Sequence, residues 1–240
     1  KAMYKGFEFL GGKPRGIALR QLNVIPHGRG LGSSASAIVG GLSLARALVL
    51  GGNERMSDEA MLVLANEMEG HPDNVATAIY GGANIAWQDM QRGAMVAQSV
   101  HIEVDARIGA LAFIPATSVA TSKARKMLPE SIAHSDAVRN SSNAALLVHA
   151  LAQRPDLLHT ATQDFLHQSY RKEAMPQSFA LLTKLRNAGV AAFISGAGPT
   201  VLVLHTGGPS EAEELRRAAG DKFTATELGI ARTGASLISA

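Results

Sequence analysis

The chain has 240 residues, 46% of them hydrophobic, with 23 Lys and Arg against 20 Asp and Glu, a net charge of +3 and no cysteine. That is enough apolar chain for a sizeable core in one large or two small domains, and the lack of Cys excludes disulfides and thiolate metal sites. The basic residues are scattered without a nucleic-acid footprint, and the N-terminus does not read as a signal peptide. Arg46 and the Gly196-x-Gly198-Pro199 run break the apolar stretches before they reach the ~20 residues of a membrane span, so a cytoplasmic protein handling small anions is expected.

Residues 15–25 alternate apolar and polar behind Gly11-Gly12-Lys13-Pro14 and predict a half-buried strand. The strand leads into Pro26-His27-Gly28-Arg29-Gly30-Leu31-Gly32-Ser33-Ser34-Ala35-Ser36-Ala37. Alternate glycines at 28, 30 and 32 permit positive φ and remove the Cβ atoms that would keep an anion from main-chain N–H groups. Ser33 and Ser34 stand where a helix over about 34–50 begins, rich in small apolar residues and stopped by Gly51-Gly52. The unpaired amides and partial positive charge of a first helical turn stabilise an anion by roughly 0.3–1 kcal/mol. The junction therefore reads as a phosphate cradle. A plain glycine turn with a serine cap is the alternative, and the density of the run and its strand–loop–helix setting argue against it. There is no Gly-Lys-Ser/Thr, and the glycine spacing is wrong for a dinucleotide fingerprint.

Further along, Ser57 caps a predicted helix over 58–69 that Gly70 stops, and Asp73 or Asn74 opens a short helix ending at Gly81-Gly82. Residues 83–88 read as a strand. Beyond about residue 100 the pattern changes: a strand over 101–115, a basic loop at 123–126, helices near 135–152, 156–170 and 178–188, and a hairpin of 190–194 and 200–205 around Ser195–Pro199. A helix with the capping box Ser210-x-x-Glu213 follows, and closing strands run from Phe223 to the end. Helices and strands in no strict βαβ rhythm argue for α+β layers. Two domains are expected, one over 1–99 that carries the phosphate cradle and a second over 100–240.

Phosphoryl transfer asks a protein mainly to position reactants and to stabilise spreading negative charge. Mg²⁺ takes one or two carboxylates together with phosphate oxygens and water, and Glu69 is the simplest candidate. As a carboxylate in the last turn of a helix it faces the negative end of the dipole, an unfavourable place unless a cation is close; an ordinary solvent-exposed glutamate is the alternative. Glu67, two positions back, is rotated by about 200° and faces away. Ser33 or Ser34 offers a hydroxyl to the metal or to a phosphate. Asp73 suits either a general base or, with Asn74, a helix cap. His149, His159 and His205 lack metal-ligand spacing.

Pro26-x-x-x-Gly30-Leu31-Gly32-Ser33-Ser34-Ala35 resembles the ATP-binding motif of the GHMP kinases, and Glu69-Gly70-His71-Pro72-Asp73-Asn74-Val75-Ala76 and Ser195-Gly196-Ala197-Gly198-Pro199-Thr200 agree with that superfamily. Glu69–Val75 followed by Tyr80-Gly81-Gly82, with Thr121-x-x-x-Arg125-x-x-Leu128-Pro129 and Asp164-x-x-His167-x-x-Tyr170-Arg171 downstream, is similar to the homoserine kinases within it. The resemblance implies a two-layer α+β GHMP kinase fold, with an N-terminal domain like domain 2 of ribosomal protein S5 and a ferredoxin-like C-terminal domain. It implies ATP held by Pro26, His27, Gly28, Arg29, Gly30, Leu31, Gly32, Ser33, Ser34, Ala35 and Ser36, and Mg²⁺ held by Ser34 and Glu69. Glu69, Asp73 and Asn74 form the catalytic set. His71, Asp73 and Asn74 contact the acceptor, and the guanidinium groups of Arg125 and Arg171 pair with its carboxylate.

The reaction so implied is direct transfer of the γ-phosphate to L-homoserine in threonine biosynthesis. Another GHMP kinase acting on mevalonate, shikimate or a sugar is the alternative enzyme, and a nucleotide-binding regulator without turnover is the alternative class. The Ser195–Pro199 turn is expected near the phosphate loop, as support or as an ordinary hairpin. Asn143 departs from the family, where arginine is expected. Homoserine kinases carry strands ahead of the first residues here, with polar groups for the amino acid, and those strands are expected to be missing from this chain. The sequence leaves the oligomeric state open, a homodimer being one state it allows.

Overall fold

The structure is a computed structural model that describes every residue except Lys13, Arg15, Arg92, Ser239 and Ala240. Two compact units divide the chain: Lys1–Ile25, Gly32–Ile102 and Ala231–Ala240 form unit 1, and Pro26–Leu31 with Glu103–Ile230 form unit 2.

Unit 1 is built from α1 (Ala2–Phe9), α2 (Ser33–Leu48), α3 (Gly52–Arg55), α4 (Asp58–Glu69), α5 (Asp73–Tyr80) and an antiparallel hairpin of β1 (Ala83–Gln91) and β2 (Ala94–Ile102), paired from Ala83↔Ile102 to Gln91↔Ala94. Its core gathers Leu10, Val39, Leu42, Met61, Leu62 and Val75 from the helices. The local signals act as the sequence predicts. The Ser57 side chain accepts from the Ala60 amide, Gly70 ends α4 at φ 89°, and Gly81 ends α5 at φ 75°. α1 is not predicted from the sequence; it lies close against α2, where a Cβ on Gly6 would stand 2.6 Å from the Ala45 methyl and one on Gly41 2.8 Å from that of Ala2.

The strand predicted over 15–25 does not form. Arg15 lies outside the described residues, and residues 16–25 have no ladder, with Leu22 and Val24 92% and 83% exposed. Alternation makes a strand only where a partner takes the backbone bonds. Here Asn23 supplies a local substitute: its Nδ2 donates to the Ile25 carbonyl at 3.0 Å, and its Oδ1 accepts the Ile25 amide at 3.1 Å.

Unit 2 carries β3 (Gly109–Pro115), α6 (Thr121–Lys126), α7 (His134–Ala152), α8 (Leu158–Ala161), α9 (Pro176–Asn187), β4 (Ala191–Ile194), β5 (Val201–His205), α10 (Gly208–Ala219) and β6 (Phe223–Leu228). Its antiparallel sheet has the order β4-β5-β3-β6. With the helices crossing between β3 and β4 and between β5 and β6, this is the ferredoxin-like arrangement that the resemblance implies. Leu111, Phe113, Leu182, Leu185, Val201 and Val203 fill the core.

Five local readings are corrected. The single strand over 101–115 is two pieces, because Asp105 makes a turn: its Oδ1 accepts the Arg107 amide at 2.9 Å, and the Arg107 guanidinium holds its carboxyl down to about 2. The basic loop at 123–126 lies in the short helix α6. The helix over 156–170 ends at Ala161 after a 3₁₀ turn at Pro155–Leu157, and a second 3₁₀ turn covers Ser169–Ala174. α10 is closed by Glu211, whose Oε2 accepts the Gly207 amide at 2.6 Å, whereas Glu213 of the supposed capping box pairs with Arg217 and Arg216. Beyond β6 the described residues form no strand. The tail from Ala231 belongs to unit 1, where the Gly82 amide donates to Ala231 O at 2.6 Å and the Ala235 amide to Ala78 O at 2.9 Å. The missing side chain of Gly81 makes room for it, since a Cβ there would sit 2.5 Å from the Thr233 backbone.

Candidate active site

Gly28, Gly30 and Gly32 all have positive φ, at 64°, 73° and 74°. Their surroundings differ. In unit 2 the Val119 amide donates to Gly28 O at 3.1 Å, Ser195 Oγ to Gly30 O at 2.8 Å, and the Thr200 amide to Arg29 O at 3.3 Å. A Cβ on Gly30 would stand 2.1 Å from Ser195 O, so this glycine is required by the Ser195–Thr200 turn itself. The Arg29 guanidinium donates to the carbonyls of Pro115, His27 and Ala116 and so fastens the loop from beneath.

In unit 1, Gly32 is the left-handed N-cap of α2 and no side chain caps the helix. The nearest atom to a Cβ there would be Asn74 Oδ1 at 3.9 Å. The first intrahelical bond runs from the Ser36 amide to Gly32 O at 2.9 Å, so the Ser34 and Ala35 amides have no intrahelical acceptor. Ser33 is buried, and Asn23 Nδ2 donates to its Oγ at 3.4 Å. Sequence reasoning passed over Asn23 as a strand residue; its place three positions before Pro26 was the available signal.

Exposed Ser34 donates from Oγ to Glu69 Oε2 at 2.8 Å, which joins the start of α2 to the end of α4. Glu67 instead pairs with Lys5 at 3.1 Å, on the other side of α4 as the helical rotation requires. His71 Nδ1 is bonded to Asp73 Oδ1, which also accepts the Asn74 amide at 2.7 Å. The turn Gly70–Pro72 between two helices thus collects Glu69, His71, Asp73 and Asn74 in one short segment. The Ser34 hydroxyl and the Glu69 carboxylate are hard oxygen donors, while the Ser34 and Ala35 amides at the helix start suit an anion. Among the described residues no group of three or more His, Cys, Asp or Glu could hold a metal alone. An ion here takes part of its shell from a ligand's own oxygens, as Mg²⁺ does with nucleotides, so the residues present fit that ion.

In unit 2, Arg171 is 7% exposed. Its Nε donates to Ala124 O at 3.3 Å and its Nη1 to Gly196 O at 3.1 Å. Burial lowers its pKa, Arg125 lowers it further, and Asp164 opposes both. Arg125, the other arginine singled out in the sequence, is exposed. Asn143 donates from Nδ2 to Gln163 O at 3.1 Å, a structural task within unit 2. His159 is bonded to Arg186 O at 3.1 Å and His205 is buried, so neither belongs to this set. A cavity of about 730 Å³ lies against the β1–β2 hairpin, lined by residues that include Leu62, Tyr80, Trp87 and Val96, and no residue of the glycine loop lines it.

The glycine loop, the helix start and the ferredoxin-like sheet define a phosphate-handling enzyme of the GHMP class. The model for the GHMP kinases N terminal domain matches residues 1–82, and that for the GHMP kinases C terminal matches residues 143–225. Homoserine kinase of Streptomyces avermitilis is 46% identical over 238 residues, which cover 99% of this chain and 76% of that protein. Homoserine kinase of Mycobacterium tuberculosis is 43% identical over 233 residues, covering 96% and 73%. The crystal structure of homoserine kinase from Cytophaga hutchinsonii superposes with a TM-score of 0.73 at 24% identity, over 97% of this chain and 76% of that one, and shows the shared fold. The chain belongs to the homoserine kinases, a family of the GHMP kinases.

Proposed function

We propose that this chain phosphorylates L-homoserine with ATP, giving O-phospho-L-homoserine as a cytoplasmic step of threonine biosynthesis. The observation that carries the reading is the Ser34–Glu69 contact at the uncapped start of α2, immediately behind the left-handed Gly32. Backbone amides at that helix start hold the phosphates, with Gly28 and Gly30 shaping the loop that leads in. Ser34 and Glu69 hold Mg²⁺, which when bound neutralises charge on the transferring phosphoryl group. His71, Asp73 and Asn74 orient the acceptor, and Arg125 and Arg171 take its carboxylate. Asp73 already bonds His71 and the Asn74 amide, so it serves by orientation rather than as a free base. Transfer needs little covalent chemistry from the protein; alignment and charge stabilisation suffice.

The test is ADP release with homoserine, mevalonate, shikimate and galactose offered in parallel. Homoserine alone should accelerate release. Acceleration by another acceptor would reassign the substrate, and ATP binding without any acceptor-dependent turnover would identify a regulator.

A further inference from the structure

The motif Asp164-x-x-His167-x-x-Tyr170-Arg171 has a use for only its last residue in the reading above. Between the end of α8 and the 3₁₀ turn Ser169–Ala174, the chain has no regular ladder, and side chains gather its backbone instead. Asp164 is the centre. Its Oδ2 accepts the amides of His167 at 2.8 Å and Gln168 at 2.6 Å, and its Oδ1 accepts the Leu166 amide at 3.3 Å and His167 Nδ1 at 3.0 Å. Asn140 on α7 accepts the Phe165 amide at 3.1 Å, and the Arg139 guanidinium lies 4.0 Å from the Phe165 ring centre. Gln168 Oε1 accepts the Ile194 amide at 2.6 Å and ties the segment to β4.

Arg171 follows directly, buried, with two neutral carbonyls as its hydrogen-bond partners. Burial lowers the Arg171 pKa, and Asp164 is the group that acts to raise it. Burial pushes the Asp164 carboxyl up, but the His167 side chain and the amides of Gln168 and His167 outweigh it, and the group stays a carboxylate below its ordinary range. Asp164 and Gly196, whose carbonyl receives Arg171, line one cavity of about 240 Å³.

We infer that Asp164 is a positioning residue for Arg171: its carboxylate gathers the amides of the turn that leads into the guanidinium, so it sets acceptor affinity while acting through Arg171. This rests on the reading of Arg171 as the partner of the acceptor's carboxylate.

The test is steady-state kinetics of the full chain carrying Asp164→Asn, Arg171→Lys, and both. The amide variant puts an NH₂ group where the amides of His167 and Gln168 now find an acceptor. Its KM for homoserine should rise about tenfold or more while the KM for ATP moves less than about twofold. Asp164→Ser carries the same expectation and replaces the amide variant should that not fold. The double variant should be little worse than Arg171→Lys alone, because both changes act on one group. Asp164→Glu keeps the charge but shifts the carboxylate, and it should not restore homoserine binding.

An unchanged homoserine KM in the Asp164 variants overturns the inference, whatever the melting temperature does. A lowered one also overturns it, since that is what mere removal of a negative charge near the site would give. Full rescue by glutamate, or additive effects in the double variant, contradict positioning through the turn. If Arg171→Lys raises the homoserine KM and Asp164→Asn does not, this inference fails and the role of Arg171 stands. If Arg171→Lys leaves it unchanged, the role of Arg171 fails first.

Discussion

Gly30 and Gly32 are two residues apart with nearly the same positive φ, and they serve opposite ends. Gly30 is filled against: Ser195 O occupies the place of its missing side chain. Gly32 is left open at the head of α2, with its closest neighbour 3.9 Å from a built Cβ. One glycine gives the loop its anchorage, and the other leaves the head of the helix uncrowded. A glycine-rich motif can thus join a closely packed position to an open one, and only contact distances separate them.

The largest effect should come from the open end. Replacing Glu69 with Gln should reduce Mg²⁺-supported turnover by roughly 10²–10³-fold or more, in line with the loss of a single group that stabilises transition-state charge. Circular dichroism and melting temperature should scarcely move, because Glu69 is only half-buried and its hydroxyl partner Ser34 is exposed. Full activity would remove it from the site.

The two glycines can be set against each other. Gly30→Ala meets both a disfavoured φ, about 1–2 kcal/mol, and a backbone oxygen that cannot give way, so its melting temperature should fall well below that of Gly32→Ala. Gly32→Ala meets the φ cost alone and should lose nucleotide affinity with a small change in stability, readable by ATP titration beside a thermal melt. Equal destabilisation would erase the distinction.

Arg171→Lys should raise the homoserine KM about tenfold and the ATP KM much less, since an ammonium cannot replace a guanidinium that is held by two carbonyls and pairs in two directions. Equal changes would move Arg171 out of the acceptor site. Asp73→Asn should lower kcat only several-fold and leave the acid limb of the pH–rate profile in place. Disappearance of that limb would make Asp73 the base.

The smallest effect concerns stability in acid. The folded Asp164 pKa lies below its ordinary 3.8. Its contribution is therefore present in full above that value and is lost as pH falls through the folded pKa. The stability gap between the parent chain and Asp164→Asn, followed by denaturant titration, should shrink below about pH 4. A constant gap would mean that the carboxylate has no special partners.

Much of this was legible in the sequence where one residue settles one local question. Ser57 and Gly70 bound α4, Gly81 stops α5, and the alternate glycines announce the loop, because caps and left-handed turns are decided within a few residues; α2 instead ends at Leu48 with an extended Val49, and Gly51 caps the start of α3. The strand at 15–25 was misread because its pattern is completed only by a partner, and Asn23 offered the backbone a nearer one. The helix over 156–170 was misread because Asp164 outcompetes the helix for three amides, a choice that depends on α7 and β4 holding the segment in place. Arg29 stands in the run that the resemblance gives to ATP, and its guanidinium donates to carbonyls 86 and 87 positions away, which no local pattern announces. Glu69 stood out because it sits where a helix least favours a carboxylate, and its bond to Ser34 could not be read from the sequence.

The Ser34–Glu69 bond has a further consequence. Joined across the start of one helix and the end of another, the two side chains surrender most of their rotamers when the chain folds rather than when ATP arrives. On the proposal that these two groups hold Mg²⁺, an incoming ion would exchange one contact for another instead of immobilising two free groups. Such preorganisation favours rapid, reversible loading, and loosening it through Ser34→Ala should show as a weaker Mg²⁺ requirement curve with an intact fold.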